Sequence, residues 1–193
     1  MHEIWKPSVT VAAIVTGDGE FASRYLLVEE EARDGLRLNQ PAGHLDPGES
    51  LVAAVIRETM EETARVFAPT GLLGVYLSCS PANARDEVER EVTYLRFAFV
   101  GHVGEADHQR ALDDGIVRTL WMTLAEIRAS VERHRSPLVL QCAEDHARGK
   151  ASAPLDVLFT HSTALEAREP SSQPSPADAG EGAKSPLPIT GEG

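Results

Sequence analysis

Along this chain the apolar positions fall mostly in short, β-branched runs divided by turn residues, and few stretches carry a helical period. Residues 8–16 (Ser-Val-Thr-Val-Ala-Ala-Ile-Val-Thr) are nearly continuous in apolar character and read as a largely buried strand. Gly17 to Glu20 make a turn, residues 25–29 a second strand, and residues 36–40 a short third one. Pro41, Gly43, Pro47 and Gly48 punctuate the next segment as a loop, and Ser50 is a candidate N-cap for a helix over 51–63. Two further strands are expected at 71–80 and 91–103, the second with Val92, Tyr94 or Leu95, Phe97 and Phe99 to pack. A strand at 117–122 runs straight into Thr123-Leu-Ala-Glu126, a capping box opening a helix to about Arg133. Ser136-Pro137 starts another helix, with Pro in its first turn and Gly149 closing it.

Strands broken by one early helix and followed by two late ones predict an α+β domain, a mixed β-sheet sandwiched between helices, spanning residues 1–165. From residue 166 to 193 the composition turns to Pro, Ser, Gly, Ala and Glu, with too little apolar surface to offset the entropy of ordering; that tail is expected to be disordered.

Charge narrows the partners. The formal net charge of −12 disfavours a duplex-gripping protein, which needs cations for the phosphates. It is no obstacle to a phosphate ligand bridged by divalent ions. No apolar run is long enough to cross a bilayer, and the first seven residues lack the apolar core of a signal peptide. Cys79 and Cys142 have no ligand partners at zinc-type spacing and read as reduced, buried thiols. The expectation is a cytoplasmic protein with no nucleic-acid or membrane partner, compatible with monomer or homodimer alike.

The chemistry concentrates between Gly43 and Glu62. At 100° per residue, with Glu58 at zero, Glu62 falls at about +40° and Glu61 at about −60°, so three carboxylates share one helix face. Val52, Ile56 and Met60 fall on the opposite side, toward a core. A solvated acidic face is the ordinary explanation for such a cluster. Here, however, like charges at i,i+3 and i,i+4 repel, and they sit toward the negative end of the helix. Arg57 relieves part of this through Glu61. The remainder asks for a cation, and an all-oxygen donor set without Cys or His suits Mg²⁺ or Mn²⁺ better than zinc.

Gly43, five residues, Glu49, seven residues, then Arg57-Glu58-Thr59-Met60-Glu61-Glu62 resembles the Nudix box at all its charged positions. Six fixed positions, each matched by chance about one time in sixteen, make an accidental hit on the order of one in a hundred thousand. Ala64 stands where that pattern usually has a glycine, with Arg65 at an aliphatic position, which implies a longer or differently ended helix. Trp5 to Ala13, Leu27 to Glu30, Asn39 to His44, Leu95-Arg-Phe97 and Arg135 to Leu138 are similar to the bacterial NudJ-type phosphatases.

What the resemblance implies is Mg²⁺-dependent hydrolysis of phosphoanhydride bonds in nucleoside tri- and diphosphates with release of orthophosphate. It extends to hydroxymethylpyrimidine pyrophosphate. Metal-bound water attacks phosphorus directly, and no Ser/His/Asp or Cys/His arrangement suggests a covalent route. Glu58, Glu61 and Glu62 are then metal ligands, with Glu58 or Glu62 as the alternative polariser of the water. Arg57 orients a glutamate, Glu49 accepts from Arg57, and Gly43 lets the backbone pass close, its carbonyl joining the metal shell. Asp113 and Asp114 are the preferred additional acids, ahead of Glu105, although acids in such a loop are as often simply solvated. For the organic half, Asn39 and Gln40 are candidate hydrogen-bonding residues, Arg96 a candidate phosphate contact and Trp5 a candidate stacking ring. An edge arginine and a core tryptophan are the ordinary readings of the last two, and His44 reads as a loop residue without a proton-transfer role. Pro81 is a weak pointer to an ADP-ribose or dinucleotide pyrophosphatase on the same fold. A nucleotide-sanitising enzyme and a non-catalytic ligand-binding regulator on that scaffold are compatible with the same residues.

Overall fold

The computed structural model describes residues 5–81 and 91–166. Its strands are β1 (Ser8–Val15), β2 (Arg24–Ala32), β3 (Gly35–Asn39), β4 (Ala42–His44), β5 (Phe67–Pro81), β6 (Glu91–Val103) and β7 (Ile116–Thr123). The helices are α1 (Leu51–Thr63), α2 (Leu124–Ala129), α3 (Leu138–Ala147) and the short α4 (Ser162–Leu165). The mixed sheet expected from the sequence is one of two. Four strands run β4-β1-β6-β5, with β1 parallel to β6 and the other pairs antiparallel; β3-β2-β7 forms a separate antiparallel sheet.

Strand β1 is buried on both faces, which explains its unbroken apolar run. Val11, Ala13 and Val15 pack with Ala54 and Val55 of α1, while Ile14 joins Val139, Cys142 and Ala143 of α3. Helices thus cover both sides of the four-stranded sheet.

Several element boundaries move. The loop expected around Gly43 contains β4, because the edge of β1 pairs through backbone groups that need no side-chain alternation (Val11 opposite Gly43). Strand β5 begins at Phe67 and takes Pro69 and Gly71 at register shifts, where a missing N–H and a missing side chain are tolerated. Helix α2 stops at Ala129, where the Ser130 hydroxyl donates to Ile127 O at 3.0 Å and a 3₁₀ turn, Val131–Arg133, takes over. Cys142 is buried as expected, but Cys79 is exposed on β5, which lies at the sheet edge. Both cysteines are free. The 3₁₀ turn Leu155–Val157 and α4 follow α3. The expected tail, 166–193, lies outside the described residues from 167 onward. No helix among the described residues is long and apolar enough to cross a membrane.

Helix α1 is not lengthened by the missing glycine. It ends at Thr63, and Ala64 itself adopts the left-handed conformation (φ 53°), its N–H donating to Met60 O at 2.9 Å. That conformation costs an alanine about 1–2 kcal/mol. Against this, the buried methyl contributes about 0.8 kcal/mol and the stiffer unfolded chain about 0.4–1 kcal/mol. Ala64→Gly should therefore change stability by less than about 1 kcal/mol, whereas Ala64→Val, branched and with φ above zero, should cost more than about 2 kcal/mol. Chemical denaturation of both variants checks this; a loss in Ala64→Gly as large as in Ala64→Val would show that the methyl, not the backbone, governs the site.

Candidate active site

The loop between β4 and α1 is held to the helix by one guanidinium. Arg57 makes a two-pronged pair with Glu49, Nε to Oε2 at 3.1 Å and Nη2 to Oε1 at 2.7 Å. Nη2 also donates to the His44 carbonyl at 3.0 Å. Nη1 donates to Glu58 Oε1 at 2.8 Å and to Glu61 Oε2 at 3.0 Å. Glu49 in turn accepts from Asp46 N at 2.8 Å, and the Ser50 hydroxyl caps the helix by accepting from Ala53 N at 3.1 Å. The loop thereby enters α1 in one register.

Gly43 sits where β4 passes over α1. A Cβ built there would lie 2.1 Å from the Glu58 carboxyl carbon and 2.2 Å from each of its oxygens. Only a glycine lets the strand backbone rest against that carboxylate.

The helix faces differ from the simple wheel. Its buried positions are Ala54, Val55, Thr59, Glu62 and Thr63, while Val52, Ile56 and Met60 are half-buried. The packed arc is shifted because the edge strand β4, as well as β1 and β5 of the same sheet, lies against α1, and it reaches Glu62. Glu62 is only 7% exposed and its Oε2 accepts from Ala42 N at 2.9 Å. Burial pushes its carboxyl up to about 9 against that N–H, with the Glu30, Glu58 and Asp113 carboxylates adding to the rise. Burial also raises Glu58, partly opposed by Arg57. Glu49, hydrogen-bonded to Arg57, is held below the usual carboxylate range.

Among the described residues, no three His, Cys, Asp or Glu side chains converge into a ready-made metal cage. Arg57 engages oxygens of Glu58 and Glu61, and Glu62 is turned to the Ala42 N–H. The donor chemistry nevertheless fits a hard divalent cation. Every donor is oxygen, and the charge that burial and like neighbours disfavour on Glu58 and Glu62 is what a cation would compensate.

Of the expected loop acids, Asp113 is the one drawn toward this group. Its N–H donates to Glu61 O at 2.9 Å, and its charge acts on Glu62, although the residue itself is exposed. Asp114 and Glu105 are exposed as well.

Beside Gly43 opens a cleft of about 220 Å³ that Asn39, His44, Tyr94 and Arg96 help to line. Arg96 is not a surface arginine. It is 8% exposed, on a strand flanked by β1 and β5, and its Nη1 reaches Gln40 Oε1 at 3.4 Å. Gln40 does not line the cleft; it is buried and its Nε2 donates to Val139 O of α3 at 2.7 Å. Trp5 is neither core nor at the cleft, being 68% exposed ahead of β1. The backbone of Pro81 pairs with Glu91 at the end of β5.

Glu30, Arg135, Ser136 and Thr10, which share this cleft, lie in the segments that carry the resemblance, but sequence reasoning gives none of them a site role. Arg135 Nε lies 3.2 Å from Glu30 Oε1, and Arg135 N donates to Leu38 O at 2.9 Å. Neighbouring Glu29, 2% exposed, pairs with Arg118 at 2.7 Å and with Arg133. The available signal was three consecutive acids, Glu29 to Glu31, following an apolar run, answered by Arg133-His-Arg135 before a proline-started helix. Pairing across about a hundred residues is invisible to local pattern.

The NUDIX domain pattern matches residues 6–142. Phosphatase NudJ of Escherichia coli K12 is 31% identical over 147 residues, 76% of this chain and 88% of that protein. A NUDIX hydrolase from Nitrosomonas europaea is 47% identical, with TM-score 0.72, covering 81% of this chain and 99% of its own. The NUDIX domain of Shewanella oneidensis NrtR, solved with ADP ribose, is 20% identical at TM-score 0.55, covering 77% and 91%; it agrees in fold alone. The loop-helix segment, the strand frame and these matches coincide over the same residues, and the chain belongs to the NUDIX family, as a NUDIX hydrolase.

Proposed function

We propose that this hydrolase cleaves phosphoanhydride bonds in nucleoside tri- and diphosphates and related small pyrophosphates, hydroxymethylpyrimidine pyrophosphate among them, with Mg²⁺ or Mn²⁺ as cofactor. The observation that carries the reading is the close seat of the Glu58 carboxylate on the Gly43 backbone beside the buried Glu62. The 31% identity to phosphatase NudJ supports the substrate class.

Glu58, Glu61, Glu62 and the Gly43 carbonyl would hold the cation, with Asp113 nearby. When bound, a divalent ion draws charge from the phosphate oxygens and makes water more acidic. The chain supplies the rest. Arg57 fixes the orientation of Glu58 and Glu61 and pins the loop through Glu49. As the alternative to ligating the ion, Glu58 or Glu62 would polarise the attacking water and take its proton, once a bound cation had favoured the carboxylate form that burial alone disfavours. The cleft beyond Gly43 takes the organic half, bounded by Asn39, Tyr94 and Arg96.

The test is phosphate-release profiling with Mg²⁺ against NTPs, NDPs, ADP-ribose, a diadenosine polyphosphate and hydroxymethylpyrimidine pyrophosphate, alongside Glu62→Gln. Orthophosphate from the NTPs, NDPs and the pyrimidine compound is expected, with kcat at least about 100-fold lower in Glu62→Gln. AMP from ADP-ribose as the dominant product would replace this reading with a pyrophosphatase. No turnover of any compound would remove the catalytic reading altogether.

A further inference from the structure

Among the described residues, five buried side-chain polar atoms have no hydrogen-bond partner: Thr10 Oγ1, Asn39 Oδ1, Arg65 Nε, Arg96 Nε and Ser136 Oγ. Four of them belong to residues that line the one cleft beside Gly43. An orphaned buried polar group destabilises a fold, so folded chains carry few of them, and four on residues around one cleft are not accounted for by packing. Thr10 and Asn39 are each 5% exposed and Arg96 is 8% exposed, so bulk water does not compensate them.

The four atoms differ in what they need. Arg96 Nε can only donate and Asn39 Oδ1 can only accept, while the Thr10 and Ser136 hydroxyls can do either. The Asn39 amide is oriented by its Nδ2 donating to Glu30 Oε1 at 3.5 Å, which turns the oxygen away from that carboxylate. A deprotonated phosphate offers acceptors only and leaves Asn39 Oδ1 without a partner. A planar heterocycle with an N–H donor beside ring or carbonyl acceptors satisfies all four kinds of need, as when an asparagine amide pairs with a base edge. The His44 and Tyr94 rings, 6.3 Å apart, give the same cleft an aromatic wall.

We propose that Thr10 and Ser136 are specificity-determining residues that, with Asn39 and Arg96, read the hydrogen-bonding edge of a heterocyclic ring on the substrate. The assignment rests on the hydrolase reading above and says which part of the substrate enters the cleft. Ser136 is brought there by the segment before α3, held to β3 through Arg135 N–Leu38 O and to β2 through the Arg135–Glu30 pair. Thr10 comes from β1, opposite His44 of β4 and Arg96 of β6.

Because neither hydroxyl has a partner within the protein, removing it breaks no internal hydrogen bond. Thr10→Val and Ser136→Ala should therefore melt at the wild-type temperature or about 2–4 °C higher. Each should also lower the ratio of kcat/KM for a nucleoside triphosphate to that for inorganic tripolyphosphate by about tenfold, the size of one hydrogen bond to a buried site. Ligand-observed NMR titration with cytidine and adenosine, which carry no phosphate, gives a readout independent of turnover. There the dissociation constant should rise about tenfold in either variant.

An unchanged ratio together with unchanged nucleoside binding in both variants would overturn the assignment. So would an equal loss toward tripolyphosphate, which would place a phosphate in the cleft, or a fall in melting temperature matching the loss of activity, which would make the hydroxyls structural. If wild-type protein turned over no phosphoanhydride yet bound nucleosides with this dependence on Thr10 and Ser136, the hydrolase reading would fail and the ring site would stand.

Discussion

Arg57→Ala should lower kcat by about two to three orders of magnitude and the melting temperature by about 5–10 °C. The two effects have separate origins. Glu49 and Glu58 have side chains only 15% and 12% exposed, and each loses its charged partner when the guanidinium goes. Breaking a fully buried pair costs about 3–5 kcal/mol. Arg57 itself is 29% exposed, so solvent screening reduces this to about 2–3 kcal/mol. The activity loss comes from position: Arg57 is what holds Glu58 and Glu61 to the Glu49 loop, and a catalytic group displaced by about 1 Å can lose about 100-fold in rate.

Arg57→Lys sharpens the test. A single ammonium carries the same charge but cannot grip Glu49 with two nitrogens while a third serves Glu58 and Glu61. It should recover part of the lost stability and little of the lost kcat. Thermal melts and steady-state kinetics on both variants decide. A lysine variant with wild-type kcat would mean that charge alone matters at this position and that the fork geometry is incidental.

The parts of this architecture that sequence exposes are those whose cause is local. Ser50 caps α1 and Thr123 with Glu126 closes a capping box, because those hydrogen bonds span three residues. The box itself is legible for the same reason: Gly43, Glu49, Arg57 and the three glutamates lie within twenty positions, and helical geometry relates most of them. What sequence misjudges is set by contacts from far along the chain. A helical wheel places Glu62 on the carboxylate face, away from the core-facing Val52, Ile56 and Met60, yet β4 covers that side and buries it. Gln40 has the look of a ligand-binding amide, but α3, a hundred residues later, takes its donor. Arg96 reads from sequence as a phosphate contact or, equally, an edge arginine, and only the place of β6 between β1 and β5 removes the edge reading. Ala64 shows the converse case. The residue departs from pattern while the backbone does not, since the fold imposes a left-handed turn on an alanine and accepts the strain.

Gly43→Ala should cost about 1–3 kcal/mol of stability and be severe in catalysis, with kcat down at least about 100-fold. Gly43 is not among the glycines with positive φ, so an alanine meets no backbone strain there. The atoms nearest the new methyl are the carbon and two oxygens of the Glu58 carboxylate, 2.1–2.2 Å away. The carboxylate cannot simply lean back, because Arg57 Nη1 holds Oε1 at 2.8 Å from the other side. Either Glu58 rotates out of its seat or β4 lifts from β1, and each outcome separates the Gly43 backbone from the Glu58 carboxylate. Fluorescence or calorimetric titration with Mn²⁺ should register this as weakened metal binding, alongside the kinetic loss. Glu58→Asp in the Gly43→Ala background draws the carboxylate back by one methylene and makes room for the methyl. If contact is the whole cause, the double variant should turn over faster than Gly43→Ala alone, although Glu58→Asp by itself slows the enzyme. That sign reversal is the signature of two groups competing for one space. Strictly additive losses, or a Gly43→Ala variant within threefold of wild type, would show that the carboxylate does not depend on the backbone beneath it.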